Sequence, residues 1–161
     1  MNDKAKTLPY RPNVGILLLN AQGLIFAGRR IDQTIESWQM PQGGIDDGET
    51  PVVAALRELQ EEVGTDKARL LHENDRWLSY DLPDHLIGVA LHGKFRGQKQ
   101  KWVALRFTGT DADIAIATAE PEFDQWKWAS ADELMVLIVP FKRDIYREVF
   151  ADFADLIGKP A

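Results

Sequence analysis

Hydrophobic residues run along this chain in two rhythms, one of strands and one of helices. Residues 14–19 form an unbroken apolar run, Asn20-Ala-Gln-Gly23 is turn chemistry, and residues 24–27 resume the apolar pattern. This predicts a buried hairpin. Residues 31–48 hold Pro41, Gly43, Gly44, Asp46, Asp47 and Gly48, too many breakers for a regular element, and read as a loop. Thr50 then offers a helix N-cap, Pro51 suits the first helical position and Gly64 suits a left-handed stop, bracketing a helix of about thirteen residues. Further on, residues 70–78, 86–95 and 102–107 read as strands. A short strand is expected at Ile114 and Ile116, and residues 123–128 return to the sheet. Residues 131–137 form a short helix capped by Ser130. Ile145, Val149, Phe153 and Ile157 recur every four positions, which predicts an amphipathic helix over residues 141–157. Strands interrupted by one central and two C-terminal helices, without repeats, favour a mixed sheet between helices: residues 1–9 as a disordered tail, residues 10–158 as one domain.

Composition narrows the function classes. The 161 residues suffice for one domain core, and 45% hydrophobic with 27% charged residues is ordinary globular composition. No apolar run approaches the roughly 20 residues of a membrane span, and the N-terminal residues lack a signal-peptide core, so a cytoplasmic protein with no membrane partner is expected. Zero cysteines excludes thiolate chemistry, and His72, His85 and His92 lack paired ligand spacing, so any metal must be held by oxygen. A net charge of −6 argues against general coating of nucleic acid, and no DNA partner is expected. Yet Lys94, Arg96, Lys99, Lys101 and Arg106 follow one another with no acidic residue between, either a local positive patch or a solvated strand pair.

The densest chemistry lies between Gly43 and Thr65. On a helix from Pro51, Val52, Leu56, Leu59 and Val63 form one apolar stripe, while Glu58, Glu61 and Glu62 fall within about 100° of one another on the far, exposed side. Glutamates three and four apart repel by roughly a few tenths of a kcal/mol per pair unless a cation sits among them. Hard oxygen ligands suit Mg²⁺ or Mn²⁺. A charged, solvated face is the alternative. It weakens here because the preceding Gly-rich loop lets backbone approach a metal or phosphate closely. Glu49 and Arg57 can pair to fix that loop on the helix, or both can be merely exposed.

The pattern G-x5-E-x7-R-E-U-x-E-E-x-G-U, with U aliphatic, is the Nudix box, and this sequence resembles it from Gly43 to Thr65 at every position but the last, where Thr65 replaces the aliphatic residue. Chance would fill its seven Gly, Glu and Arg positions on the order of once in 10⁸ windows. The resemblance implies a Nudix-type α/β/α sandwich with a mixed β-sheet between helices, and hydrolysis of a phosphoanhydride in a nucleoside diphosphate linked to another group. It implies metal binding by Glu58, Glu61 and Glu62 with the Gly43 carbonyl, catalytic roles for Glu49 and Arg57, and Glu122 as a further ligand or base. The divalent cofactor is expected to be Mg²⁺, with Mn²⁺ or Zn²⁺ as substitutes. Which glutamate is the general base the box leaves open.

Five further segments, Tyr10-Arg-Pro-Asn-Val-Gly15, Trp38 to Gly44, Gly97 to Trp102, Pro121-Glu-Phe-Asp124 and Phe141 to Tyr146, are similar to the RNA pyrophosphohydrolase subgroup of that family. That likeness implies removal of pyrophosphate from triphosphorylated RNA 5′ ends, promoting RNA decay. Diphosphorylated RNA is a related substrate. It implies phosphate or RNA-end contacts from Arg11, Arg30 and Lys142, and a base pocket of Tyr80, Val139 and Phe141. Lys99 and Lys101 can face the phosphates or protect a sheet edge. A monomer, with or without an activating protein partner, is expected. Dinucleoside-polyphosphate hydrolysis is the second reading, and a non-catalytic nucleotide-binding module the third.

Overall fold

The computed structural model describes residues 3–32 and 35–161. Positions 1–2 of the expected tail and 33–34 of the expected loop lie outside them. Strand β1 (Tyr10–Leu19) is the spine of the molecule. On one edge it runs parallel to β7 (Gly97–Phe107), from Tyr10 opposite Gly97 to Leu19 opposite Arg106. On the other it pairs antiparallel with β2 (Ile25–Arg30) and β4 (Gln42–Gly44). Strand β2 carries β3 (Trp38–Gln39) and β8 (Phe123–Ala129), and β7 carries β5 (Ala68–Glu73) and β6 (Leu78–Asp81). One mixed eight-stranded sheet results, with the central order β3-β2-β1-β7-β5.

Alternation along β1 explains why its apolar run is unbroken: both faces are covered. Val14, Ile16 and Leu18 pack with Val103 and Leu105 beneath helix α2 (Pro51–Val63), against Ala54, Ala55, Leu59 and Val63. Leu17 and Leu19 join Trp102 and Ala104 on the opposite face, beneath α3 (Ala131–Leu137) and α4 (Arg143–Asp152), against Leu134, Ile145, Tyr146 and Val149. The α/β/α sandwich is thus a sheet with two separate apolar layers. A single helical turn, α1 (Asp3–Lys6), precedes β1, and its Ala5 is buried.

Thr50 and Gly64 bracket α2 as expected: the Thr50 hydroxyl accepts from Val53 N at 3.3 Å, and Gly64 sits at φ 79°. Several expected elements differ. The loop over residues 31–48 contains β3 and β4, because backbone pairing with β1 and β2 tolerates the glycines. The strand expected over 70–78 divides into β5 and the start of β6, around a turn. The strand expected over 86–95 is two short 3₁₀ turns, Asp84–Leu86 and Leu91–Gly93, with Leu91 and His92 at positive φ beside Gly88 and Gly93. Strand β7 instead begins at Gly97, earlier than its apolar run, because Gln98 and Gln100 are buried by polar partners. Ile114 and Ile116 form no strand; they pack against the α2-side core from a loop held by Ala115 N donating to Val63 O at 2.9 Å. The last helix spans Arg143–Asp152 only, since Pro140 starts a separate 3₁₀ turn and the chain turns after Asp152.

Gly64 has two reasons to be glycine. Its φ is left-handed, and a Cβ there would collide with the carbonyl oxygen of Ala115. Gly64→Ala is therefore expected to cost at least about 1–2 kcal/mol, read as a lower urea midpoint with unchanged slope; an unchanged midpoint would refute this account.

Candidate active site

The turn after β4 and the start of α2 are joined by one guanidinium. Arg57 donates from Nε to Glu49 Oε2 and from Nη2 to Glu49 Oε1, both at 2.8 Å, a bidentate pair. Its Nη2 also donates to the Gly44 carbonyl at 2.8 Å, and Nη1 donates to Glu58 at 2.8 Å and to Glu61 at 3.3 Å. Glu49 in turn accepts from Asp46 N at 2.8 Å, closing the loop. Arg57 holds the Glu49 carboxyl down at about 2, and the backbone bond from Asp46 adds to this. The same partners push the Arg57 guanidinium well above its ordinary range.

The three box glutamates do not share an exposed face, as the helical wheel suggested. Glu61 is exposed, but Glu58 and Glu62 are 9% and 6% exposed. Strand β4 packs on one flank of α2 and the 115–122 loop on the other, so the helix is covered on more than its apolar stripe. Gly43 is the close approach on the first flank: a Cβ there would collide with the Glu58 carboxylate. Burial raises the Glu58 carboxyl, opposed by the hydrogen bond from Arg57. Burial raises Glu62 further, and the negative charges of Glu58 and Glu122 add to it, offset only in part by Gln42 N donating at 3.3 Å. Glu122, far away in sequence, lines the same cavity of about 650 Å³ as Glu58, Glu61 and Glu62. Thr118 Oγ1, buried and without a hydrogen-bond partner among the described residues, also belongs to that wall.

In the arrangement seen, no three His, Asp or Glu side chains among the described residues converge closely enough to ligate one ion; Arg57 draws Glu58 and Glu61 towards itself. The donor set nevertheless fits a hard divalent cation. It is all oxygen, two of its carboxylates are buried with too little positive charge, and Gly43 leaves its backbone open beside Glu58.

A second cavity, of about 670 Å³, lies on the other face of the sheet, lined by Tyr80, Val139, Phe141, Lys142 and Arg30 among others. Tyr80 and Phe141 are tilted rings 5.9 Å apart. The 82–96 segment closes it with Leu82, Pro83, His85, Leu86 and Leu91. Lys142 is buried and donates to Gln39 Oε1 at 3.3 Å. Burial, then the nearby Arg30, pull its ammonium down to about 7, against the opposing charges of Asp32 and Glu62. Arg30 itself is held by Asp32 through bonds of 2.9 and 2.6 Å. Arg11 lies against Gly44 and donates to Gln98 Oε1 at 3.2 Å. Lys99 and Lys101 line neither cavity; they project from the opposite face of β7 to the Trp77 ring.

A buried polar ladder escaped the sequence reading. Asn13 donates to Gln98 at 2.8 Å, Gln100 donates to Asn13 at 2.9 Å and to Gln42 at 2.7 Å, and Gln98 donates to the Tyr80 hydroxyl at 2.5 Å. The usable signal was the period of two in Gln98-Lys99-Gln100-Lys101-Trp102, which puts both glutamines on the face of buried Trp102.

The NUDIX domain family matches residues 9–153. The chain belongs to the Nudix family. Among its relatives is a protein of Rickettsia rickettsii (strain Sheila Smith) named RNA pyrophosphohydrolase, 56% identical over 150 residues, 93% of each chain. Another of that name, from Rickettsia bellii (strain OSU 85-389), is 54% identical over 160 residues, 98% of this chain and 99% of the other. The fold is shared with an E. coli dihydroneopterin triphosphate pyrophosphohydrolase (TM-score 0.65, 20% identity, 87% and 96% of the two chains) and a C. elegans Ap4A hydrolase (TM-score 0.63, 18% identity, 90% and 98%). Nudix hydrolases depend on a divalent metal and cut pyrophosphate bonds, and this chain is such a hydrolase.

Two outcomes follow for this Nudix site. Arg57→Lys keeps the charge but loses the fork that meets Glu49, Gly44 and Glu58 together, so kcat is expected to fall roughly a hundredfold; wild-type turnover in the folded variant would remove Arg57 from this role. With its ammonium pulled down to about 7, Lys142 loses its charge as pH rises through that value, whereas an anion beside it favours the charged form. Binding of adenosine 5′-monophosphate above pH 7 therefore takes up a proton, and affinity falls as pH rises, by up to about tenfold per unit. Calorimetry in two buffers should detect that proton in the wild type and not in Lys142→Met; equal uptake in both would reassign it.

Proposed function

We propose that this hydrolase removes pyrophosphate from the 5′ end of triphosphorylated RNA: water splits the bond between the α and β phosphates, leaving a 5′-monophosphate RNA and releasing pyrophosphate. Diphosphorylated RNA ends belong to the same substrate class. The relatives that bear the name RNA pyrophosphohydrolase match almost the whole chain, which supports this reading.

The observation that carries it is the double role of Gln42. Its backbone N–H donates to Glu62 in the acidic cavity, while its side chain lines the aromatic pocket. Phosphates and base can thus be bound on either side of one residue. In this reading the first bases of the RNA stack between Tyr80 and Phe141, with Val139 as the apolar wall, and stacking of this kind is worth about 1–3 kcal/mol per base. Arg30 and Lys142 stand where the pocket meets the acidic cavity and take the phosphate oxygens; Arg11 backs them from beside Gly44. A divalent cation, Mg²⁺ in our reading, neutralises pyrophosphate oxygens and makes water easier to deprotonate when bound. Glu58, Glu61, Glu62 and Glu122, with the Gly43 carbonyl, are the residues to hold it. The Arg57–Glu49 pair ties the glycine turn to α2 and holds Glu58 and Glu61 beside it, which serves the positioning that phosphoryl transfer demands.

Purified protein given Mg²⁺ and 5′-labelled triphosphorylated RNA should release pyrophosphate and leave a monophosphorylated end. An unchanged RNA end beside rapid turnover of diadenosine tetraphosphate would overturn the reading in favour of a dinucleoside-polyphosphate hydrolase. Glu58→Gln is expected to abolish turnover of either substrate while the protein stays folded, because it removes one of two neighbouring buried charges; retained turnover would exclude Glu58 from the reaction.

A further inference from the structure

Trp77, Lys99 and Lys101 make a cluster that the reaction does not use. Side chains alternate along β7, so Gln98 and Gln100 turn to the base-pocket face while Lys99 and Lys101 turn to the other. There both ammonium groups lie over one indole, with Nζ 5.5 and 5.7 Å from the Trp77 ring. Neither lysine has a carboxylate within ion-pair distance among the described residues, although the protein carries a net charge of −6. Trp77 itself is 46% exposed. Two cations drawn to one ring repel each other, and an exposed indole is a costly surface to leave in water. Anions on the ammonium groups together with a flat apolar group on the indole relieve both.

We propose that this cluster is a second contact for nucleic acid, a stacking platform for the single-stranded body of the RNA whose 5′ end occupies the catalytic cavity. The proposal rests on the RNA reading of the site. Phosphates alternating with planar bases match cations flanking an aromatic face, and stacking plus charge is how single strands are held without reading their sequence. An acidic protein segment would meet the lysines but leave the indole uncovered. The route is short. Strand β6 pairs only with β7 among the described residues, so its outer edge is free. Tyr80, inside β6, lines the base pocket, and Trp77 lies three residues before it, about 10 Å along the strand. A strand leaving the base pocket rounds the β6 edge and meets Trp77 on the far side.

The test measures binding of the full protein to fluorescently labelled 5′-monophosphorylated RNA, a decamer and a dinucleotide, without metal. Trp77→Ala should weaken decamer binding about tenfold and leave dinucleotide binding unchanged, with Trp77→Phe restoring most of the loss. Lys99→Ala/Lys101→Ala should lower the slope of log affinity against log salt by about 1.4, as for two lost phosphate contacts on a single strand. Equal affinities of wild type and variants for the decamer would overturn the proposal, as would equal losses on decamer and dinucleotide. The two readings fail differently: wild-type protein that cleaves no triphosphorylated RNA overturns the function, whereas cleavage with length-independent binding overturns only this platform.

Discussion

The site depends on the guanidinium of Arg57. Two carboxylates, Glu58 and Glu62, are buried in a cavity whose other charged walls are also acidic, an arrangement that costs free energy unless cations or strong donors meet it. For Glu58 the fold supplies Arg57, and for Glu62 only the backbone N–H of Gln42 among the described residues. Through Glu49 and the Gly44 carbonyl Arg57 ties down the glycine turn, and through Glu58 and Glu61 it ties that turn to the helix. Remove the fork and the loop loses the side-chain anchor that reaches Glu49 and Gly44 from α2, while Glu58 and Glu61 lose the guanidinium they are paired with. What the box spells as separate letters is therefore one electrostatic unit.

The sheet then decides where that unit works. Strand β4 lies on the spine β1, and its three residues face alternate ways. Gly43 faces the Glu58 carboxylate; Gly44 and Gln42 face Arg11 and Gln100 on the other side. The acidic cavity and the aromatic pocket, on opposite faces of the sheet, thus meet at a short strand near one end of β1. The parallel pairing of β1 with β7 extends the meeting point, since it puts Asn13 opposite Gln100 and Arg11 opposite Gln98. A ladder of amides, each donating to the next, holds the floor of the pocket without adding charge to it.

The parts of this fold that local chemistry dictates were legible in the sequence. Thr50, Pro51 and Gly64 mark α2 within its own thirteen residues, and Ser130 does the same for α3. Elements that depend on a distant partner were not. Strands β3 and β4 exist because β1 and β2 accept them, and no local pattern in a glycine-rich segment announces that. The same cause hid the burial of Glu58 and Glu62: a helical wheel knows the apolar stripe but not the loop that will close over the opposite flank. It also misled over residues 86–95, where apolar letters line a cavity in 3₁₀ turns instead of alternating in a strand. The set of pocket residues came from resemblance, and geometry then divided it: Tyr80, Val139, Phe141, Lys142 and Arg30 converge, whereas Lys99 and Lys101 look the other way.

The two cavities carry complementary electrostatic deficits. On one side, carboxyls are raised because burial and like charges leave them short of cations. On the other, the Lys142 ammonium is lowered because burial and Arg30 leave it short of anions. Each perturbation states which charge the site lacks. A phosphoanhydride carrying its divalent cation supplies both at once, positive charge to the glutamates and negative charge to the lysine, with Gln42 standing between them. A free cation meets only the first of these deficits and a lone phosphate only the second, so the two shifts are complementary in sign across the short strand β4.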